Sequence, residues 1–348
     1  MSAKGTFKQS TYPYTYARVM VMKSGLLKPA DYERLAKLSL DGLLKYLNGT
    51  DYAREIQRLG IQQAGIRLLE LALQENMARA YSKLRVISPP EFGVLFDTHL
   101  FRRDIEDIKI ILRGVSAGLP RERIRERIYP VNFTEAQYGR LISSSTVEDV
   151  LNQLTFIPSS SFADALSRYR STKSLTMVEN VLDRHLYSMM LKRVKALPQH
   201  LHVIRGFLLL ELDLLNLMAV LKLKEAGLSP EAIRRVILTG EGKIEESLMR
   251  QIISADLVPA IRLIKTSLYG ALFQHLDEEH PDLAAVEIEL ERFKLKESTK
   301  FLHRQPLTAD VILGYLFAKE AEARNLLLLG KASHLGLGSE FVRRNLVV

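Results

Sequence analysis

The sequence predicts an all-α protein made of three similar helical domains related by pseudo-threefold symmetry. Three observations predict it. Glycine and proline are scarce, 19 and 12 in 348 residues, and tryptophan is absent, a composition that suits helices better than sheets. Apolar residues recur at i, i+3, i+4 and i+7 through 64–84, 104–115, 175–197, 207–224, 284–302 and 311–332, the period of an amphipathic helix. One helix–glycine–helix unit occurs three times at a constant offset.

The repeat aligns without gaps. "DIEDIKIILRGVSAGLPRERI" starts at Asp104, "DLLNLMAVLKLKEAGLSPEAI" at Asp213 and "EARNLLLLGKASHLGLGSEFV" at Glu322. Asp107, Asn216 and Asn325 match, each 109 residues after the last. Gly118, Gly227 and Gly336 match at that offset, as do Leu119, Leu228 and Leu337, and Ile124, Ile233 and Val342. Each copy reads as a helix with a polar head and an apolar face after it. The helix ends at a glycine suited to the left-handed C′ position. A turn with Pro120, Pro230 or Ser339 follows, and a second helix restarts.

Breaks at 87–92, 156–162, 196–200 and 278–282 separate the helices. A second element recurs as "LSLDGLLKYL" (38–47), "SSTVEDVLNQL" (144–154) and "IISADLVPAIRLI" (252–264). Ser39, Thr146 and Ser254 are its expected N-caps, with an acid following. Pro259 lies too deep for a first turn counted from Ser254, so that helix either starts later or kinks. The N-terminal "YARVMVMKSGLLKPADYERL" (16–35) also reads as helix, glycine, proline and restarting helix. The chain thus begins and ends inside the same repeated element, which suggests a closed ring of three rather than an open array needing polar end caps. The expected domains are 12–99, completed by the C-terminal helices 307–348, then 100–208 and 209–306.

Catalytic and ligand-binding chemistry finds no support. Without cysteine there is no disulfide framework, thiolate nucleophile or thiolate metal site. "TGEGKIEES" (239–247) fails as a phosphate loop, because Gly240 and Gly242 are one residue apart and Ile244 follows Lys243. His200 and His202 are spaced for a loop or strand, with no third ligand nearby. His275 and His280 lack zinc spacing, and "GLGSE" (336–340) lacks the preceding strand of a dinucleotide site. The expectation is no catalytic residue, no cofactor and no metal.

The formal charge is +9, from 49 Lys and Arg against 40 Asp and Glu. Nucleic acid, an anionic membrane surface, an acidic partner or simple solubility would each account for it. The densest basic run, "RERIRERIY" (121–129), alternates arginine with glutamate and is largely self-neutralising, unlike a phosphate-tracking surface. A helical-repeat nucleic-acid binder is therefore the alternative reading rather than the leading one. The start "MSAKGTFKQS" is polar, with no signal-peptide pattern. The most apolar window, 204–227, is interrupted by Glu211, Asp213 and Asn216, short of the run that a membrane span needs.

The polar heads have two readings. In one, Asn325 hydrogen-bonds to backbone and Arg324 pairs with Glu320 or Glu322. In the other, Asp107, Asn216, Arg324 and Asn325 face a shared axis or a domain junction. Arg324 is specific to its copy, since its counterparts are Glu106 and Leu215.

The stretch "GLLKPADYERLAKLSLDGLLKYLNGTDYAREI" (25–56) resembles the N-terminal signature of the central-stalk family of V-type and archaeal-type (A-type) ATPases, the AC39 family. Leu26, Leu27, Asp31, Tyr32, Leu35, Leu40, Asp41, Leu43, Thr50, Asp51 and Tyr52 carry the likeness. "AKEAEARNLLLLGKA" (318–332) resembles the family's closing helix through Lys319, Glu320, Glu322, Arg324 and Asn325. The resemblance implies a funnel-shaped all-α protein with a central cavity and no active site of its own. It implies a rotor adaptor, a monomer within the larger complex, peripheral on the cytoplasmic face of the membrane. Its partners would be the central-shaft subunits and the proteolipid ring, with no nucleic acid and no small-molecule substrate. Lack of cysteine and tryptophan suits the archaeal and bacterial branch; the basic charge is not a family motif.

Overall fold

The computed structural model describes residues 12–128, 133–195, 202–238, 242–304 and 310–347. Among these the regular structure is helical, without strands. In chain order the helices are α1 (Pro13–Ser24), α2 (Pro29–Leu35), α3 (Leu40–Leu47), α4 (Ala53–Leu59), α5 (Gly65–Ile87), α6 (Gly93–Ser116), α7 (Arg121–Arg125), α8 (Glu135–Ile142) and α9 (Val147–Asn152). They continue with α10 (Ala163–Thr172), α11 (Thr176–Lys195), α12 (His202–Glu225), α13 (Pro230–Val236), α14 (Glu246–Ser254), α15 (Leu257–Lys265), α16 (Leu283–Arg304), α17 (Asp310–Leu335) and α18 (Ser339–Asn345). Short 3-10 turns occupy Pro90–Phe92, Ser159–Phe162 and Gly270–Phe273.

The repeated ends follow one local rule. Gly118, Gly227 and Gly336 adopt φ of +64°, +71° and +69°, which glycine reaches without a Cβ penalty. The next residue closes the helix in each case. Leu119 N–H donates to Gly114 at 2.9 Å, Leu228 to Leu223 at 3.0 Å and Leu337 to Ala332 at 2.8 Å. This is the six-to-one bond of a Schellman cap. Ile124, Ile233 and Val342 then anchor the restarting helices, all nearly fully buried.

The N-caps follow expectation in two copies of three. Ser39 accepts from Gly42 N–H at 3.2 Å. Thr146 accepts from Asp149 N–H at 3.1 Å, and the Asp149 carboxylate accepts from Thr146 N–H in return, a capping box. In the third copy Ser254 ends α14, and Asp256 takes the cap position of α15 in extended conformation. Pro259 is then the third residue of α15, where no intrahelical N–H bond is lost. The helix starts later and does not need to kink.

The chain forms two compact units. One takes the chain to Phe92 and from Glu287 onward, with the first residues of α12 to Ile204; the other takes the stretch between. In the first unit, N- and C-terminal helices share one core. Tyr32, Leu35, Leu43, Leu47, Tyr52 and Leu69 from the start pack with Leu326, Leu329, Ala332 and Val342 from the end. The leucine run of α17 therefore lies in a core, as its composition requires. In the second unit α6 packs on α11, and α14 packs on α15. His200 and Gly240 lie outside the described residues, and no group of histidine and carboxylate residues suited to a metal occurs among the described ones.

Candidate functional site

The acids and amides expected on a first turn lie instead about midway along α6, α12 and α17, because each helix starts about three turns earlier; they are buried, and a buried carboxylate or amide needs partners. The first acid of each copy finds its donors near the next helix pair. Glu322, on α17, accepts from Tyr52 Oη at 2.7 Å, Lys319 Nζ at 2.8 Å and Leu27 N–H at 2.5 Å. Asp213, on α12, accepts from Tyr269 Oη at 2.9 Å and Lys243 N–H at 2.7 Å. Asp104, on α6, accepts from Tyr138 Oη at 3.1 Å. Each acid lies 109 residues from the next. Each is paired with a buried tyrosine and, in the two copies where the loop before the following helix is described, with that loop's backbone.

Toward these acids the tyrosines act as donors. Burial, then the charge of Glu322, pushes the Tyr52 phenol well above its ordinary value. Burial, then Asp104 and Asp107, does the same to Tyr138. Asp213 is held above the usual carboxylate range by burial, which outweighs the bonds from Lys243 and Tyr269. Lys319 is 1% exposed, and its ammonium lies 4.1 Å from the Tyr52 ring centroid as well as bonding the hydroxyl. Such a cation in a core is sustained by the paired carboxylate and the ring face together.

The amide three residues further on does a second job. Asn325 Nδ2 donates to Val347 O at 2.7 Å and its Oδ1 accepts from Val347 N–H at 2.9 Å. Asn216 makes the same two bonds to Leu238, at 2.7 and 3.2 Å. Both partners are 22 residues downstream. An amide carries donor and acceptor on one planar group, so it can clip an extended residue as a neighbouring strand would. Asp107 carries no donor. It lies 3.3 Å from Tyr138 Oη and 3.2 Å from the Arg103 guanidinium; residue 129, the counterpart of Val347, is outside the described residues.

Of the four expected positions, Asp107, Asn216 and Asn325 are buried, each with partners of its own. Arg324 is different. It is half-exposed and pairs with Glu291 of α16 at 3.0 Å, not with Glu320 or Glu322. Glu322 is already surrounded by three donors, and Glu320 accepts from Tyr81 Oη at 3.1 Å. The sequence opens its three aligned copies on Asp104, Asp213 and Glu322 but does not single them out as site residues, although their constant offset was there to be used. The tyrosines had no such signal: Tyr52 and Tyr269 follow α3 and α15, whereas Tyr138 lies within α8.

The described end of the "TGEGK" run turns inward. Lys243 N–H binds Asp213 rather than an outside anion, and a Cβ at Gly242 would overlap that carboxylate. A cavity of about 10 Å³ touches Asn216, Asp183 and Leu238, room for a water molecule but for no substrate.

These nodes tie the middles of α6, α12 and α17 to tyrosine hydroxyls and backbone, which is architecture rather than reaction chemistry. The family model for the ATP synthase (C/AC39) subunit matches residues 15–345. The chain belongs to the ATP synthase (C/AC39) subunit family. It is 28% identical over 341 residues to the C subunit of the A-type ATP synthase of Archaeoglobus fulgidus, covering 98% of this chain and 97% of that one. The corresponding protein of Methanosarcina barkeri is 28% identical over 346 residues, covering 97% and 93%. That of Methanococcoides burtonii is 28% identical over 349 residues, covering 100% and 97%. As a C/AC39 family member the chain is a structural part of an ATP synthase and not its catalyst. Among the described residues no helix is long and apolar enough to cross a membrane.

Proposed function

We propose that this chain is the non-catalytic rotor adaptor of a V/A-type ATP synthase, joining the central shaft to the membrane proteolipid ring and passing torque between them for proton or sodium transport. The observation that carries this reading is the family match along 15–345. In it the protein sits peripherally at the cytoplasmic face of the membrane, without cofactor. Its three domains, 12–99 with 307–348, 100–208 and 209–306, surround a pseudo-threefold axis as a funnel with a central opening. Asp107, Asn216, Arg324 and Asn325 lie toward that axis or at the junctions between domains.

Three features support the reading. The buried acids of the three nodes and the Schellman ends recur at constant offset, as equivalent domains require. Arg102 binds Glu211 through two bonds, at 2.8 and 2.5 Å, and these residues occupy the same repeat position, 109 apart. Residues at equivalent positions meet where the relating axis passes close by. A torque coupler also has to be stiff, and cores held by buried, bonded polar nodes resist shear. The test is binding of the purified chain to isolated shaft protein and to detergent-solubilised ring. The adaptor role requires both interactions, and binding to neither would overturn it.

A further inference from the structure

The three repeated turns serve as controls for one another, and one of them differs. Of the large apolar side chains that are strongly exposed among the described residues, Leu335, Leu337 and Phe341 fall within a single corner, the α17–α18 turn. Leu335 is 67% exposed and Phe341 44%. The matched positions are Ala117 and Arg123 in the α6–α7 turn, and Ala226 and Ala232 in the α12–α13 turn. Those turns form the same glycine-ended cap with the same buried anchor. The fold of the motif therefore does not require a large apolar residue at 335 or 341.

The corner is also net basic, Arg343 and Arg344 against the exposed Glu340, and firmly held. Arg343 and Arg344 project from α18 and are exposed. The helix beneath them is pinned by buried Val342, by the Asn325 clip and by Arg292, whose Nε donates to Leu346 O at 3.0 Å. Apolar tips beside guanidinium groups match the layers of a lipid interface, with anionic headgroups outside and acyl chains beneath. Leucine and phenylalanine would enter the boundary while the arginines stay among phosphates.

We propose that the α17–α18 corner docks on the surface of an anionic bilayer, Leu335, Leu337 and Phe341 inserting at the headgroup boundary and Arg343 and Arg344 contacting lipid phosphates. This rests on the adaptor reading, which brings the chain to the membrane. It also gives part of the +9 charge a task. A single shallow contact of this kind is weak and reversible, as suits a part that turns over a lipid surface.

The test is co-sedimentation of the full chain with vesicles of phosphatidylcholine alone and of phosphatidylcholine with phosphatidylglycerol. The variant Leu335→Ala/Phe341→Ala places at this corner the residues that the α12–α13 turn carries, so the fold is expected to survive; thermal melting checks that. The wild type is expected to sediment with anionic vesicles and not with neutral ones, and to release in high salt. The double variant and Arg343→Glu should each weaken binding by about tenfold, while Ile61→Ser, at an exposed site elsewhere, should not. No binding to anionic vesicles, or equal binding by the double variant, overturns the proposal. So does binding to the purified ring with none to protein-free vesicles, an outcome that leaves the adaptor reading standing. Vesicle binding without shaft or ring binding would instead sink the adaptor reading alone.

Discussion

The Tyr52 hydroxyl donates to Glu322 at 2.7 Å across 270 residues of sequence. That bond fastens the chain's beginning to its end, with Leu27 N–H and Lys319 on the same carboxylate. It explains why a helix can carry an acid, an arginine and an asparagine at the head of its most apolar run. The polar groups meet waiting donors inside the core or, for Arg324, a partner at its edge.

Removing that carboxylate leaves the Lys319 ammonium buried without its counter-charge. Glu322→Ala is expected to cost about 3–5 kcal/mol, and Tyr52→Phe about 1–3 kcal/mol for an acceptor left short of one donor. Urea unfolding followed by circular dichroism measures both. Equal, small losses would mean that the node does not hold the two ends together.

The amide clips need donor and acceptor at once. Asn325→Asp keeps shape and removes the donor, so it should destabilise by about 1–3 kcal/mol, and Asn216→Asp likewise. Asp107→Asn is the contrasting case, because its site already works with a carboxylate beside Arg103. Thermal melts of the three variants compare them directly, and a neutral result for Asn325→Asp would show that the clip contributes nothing.

Gly242 is needed because Asp213 occupies the space a Cβ would take. Gly242→Ala should therefore lower the melting temperature and loosen the loop before α14. Faster amide exchange at Lys243 is the local signature; unchanged exchange would show that the loop does not rely on the acid.

Asp213 also predicts a pH dependence. Its folded pKa is raised, by burial first, so the folded state holds that proton more tightly than the unfolded chain does. The stability this contributes is present below the unfolded value of about 3.9 and is lost as pH rises through the higher folded value. Asp183 is raised for the same reason, so the wild type alone does not isolate the effect. The difference in unfolding free energy between wild type and Asp213→Asn should move in the variant's favour as pH rises from about 4 through the folded pKa. A flat difference over that window would contradict the assignment.

Arg324 separates stability from assembly. Its pair with Glu291 is half-exposed, so Arg324→Ala should change stability by no more than about 1 kcal/mol. As the charge peculiar to its copy, it is expected to matter to a partner, with shaft binding weakened by about tenfold, the scale of an interface arginine. Titration calorimetry on a variant with an unchanged melt reads this out.

What could be read from the sequence was whatever the repeat fixes locally. The glycines at 118, 227 and 336 declare their φ because the helix end and the restart lie a few residues apart. The i-to-i+22 clip of Asn325 was legible as a bond to backbone, though not its target. Partners set by tertiary packing were hidden. Arg324 goes to Glu291 because nearer acids are engaged, and nothing in "EARN" says so. Ser254 looked like a cap because it holds the right residue type, yet α14 runs through it and Asp256 is better placed. Tyr52 was marked only by the family likeness, and the tyrosine–acid bonds stayed hidden because the tyrosines come from unequal positions in the chain.

The adaptor claim is tested most directly by asking whether the chain bridges its two proposed partners. Purified ring and tagged shaft protein are mixed with and without this chain, and the tag is captured. The adaptor role predicts that ring is captured only when the chain is present, with the three in one complex. Capture of ring without the chain, or none with it, would contradict the claim.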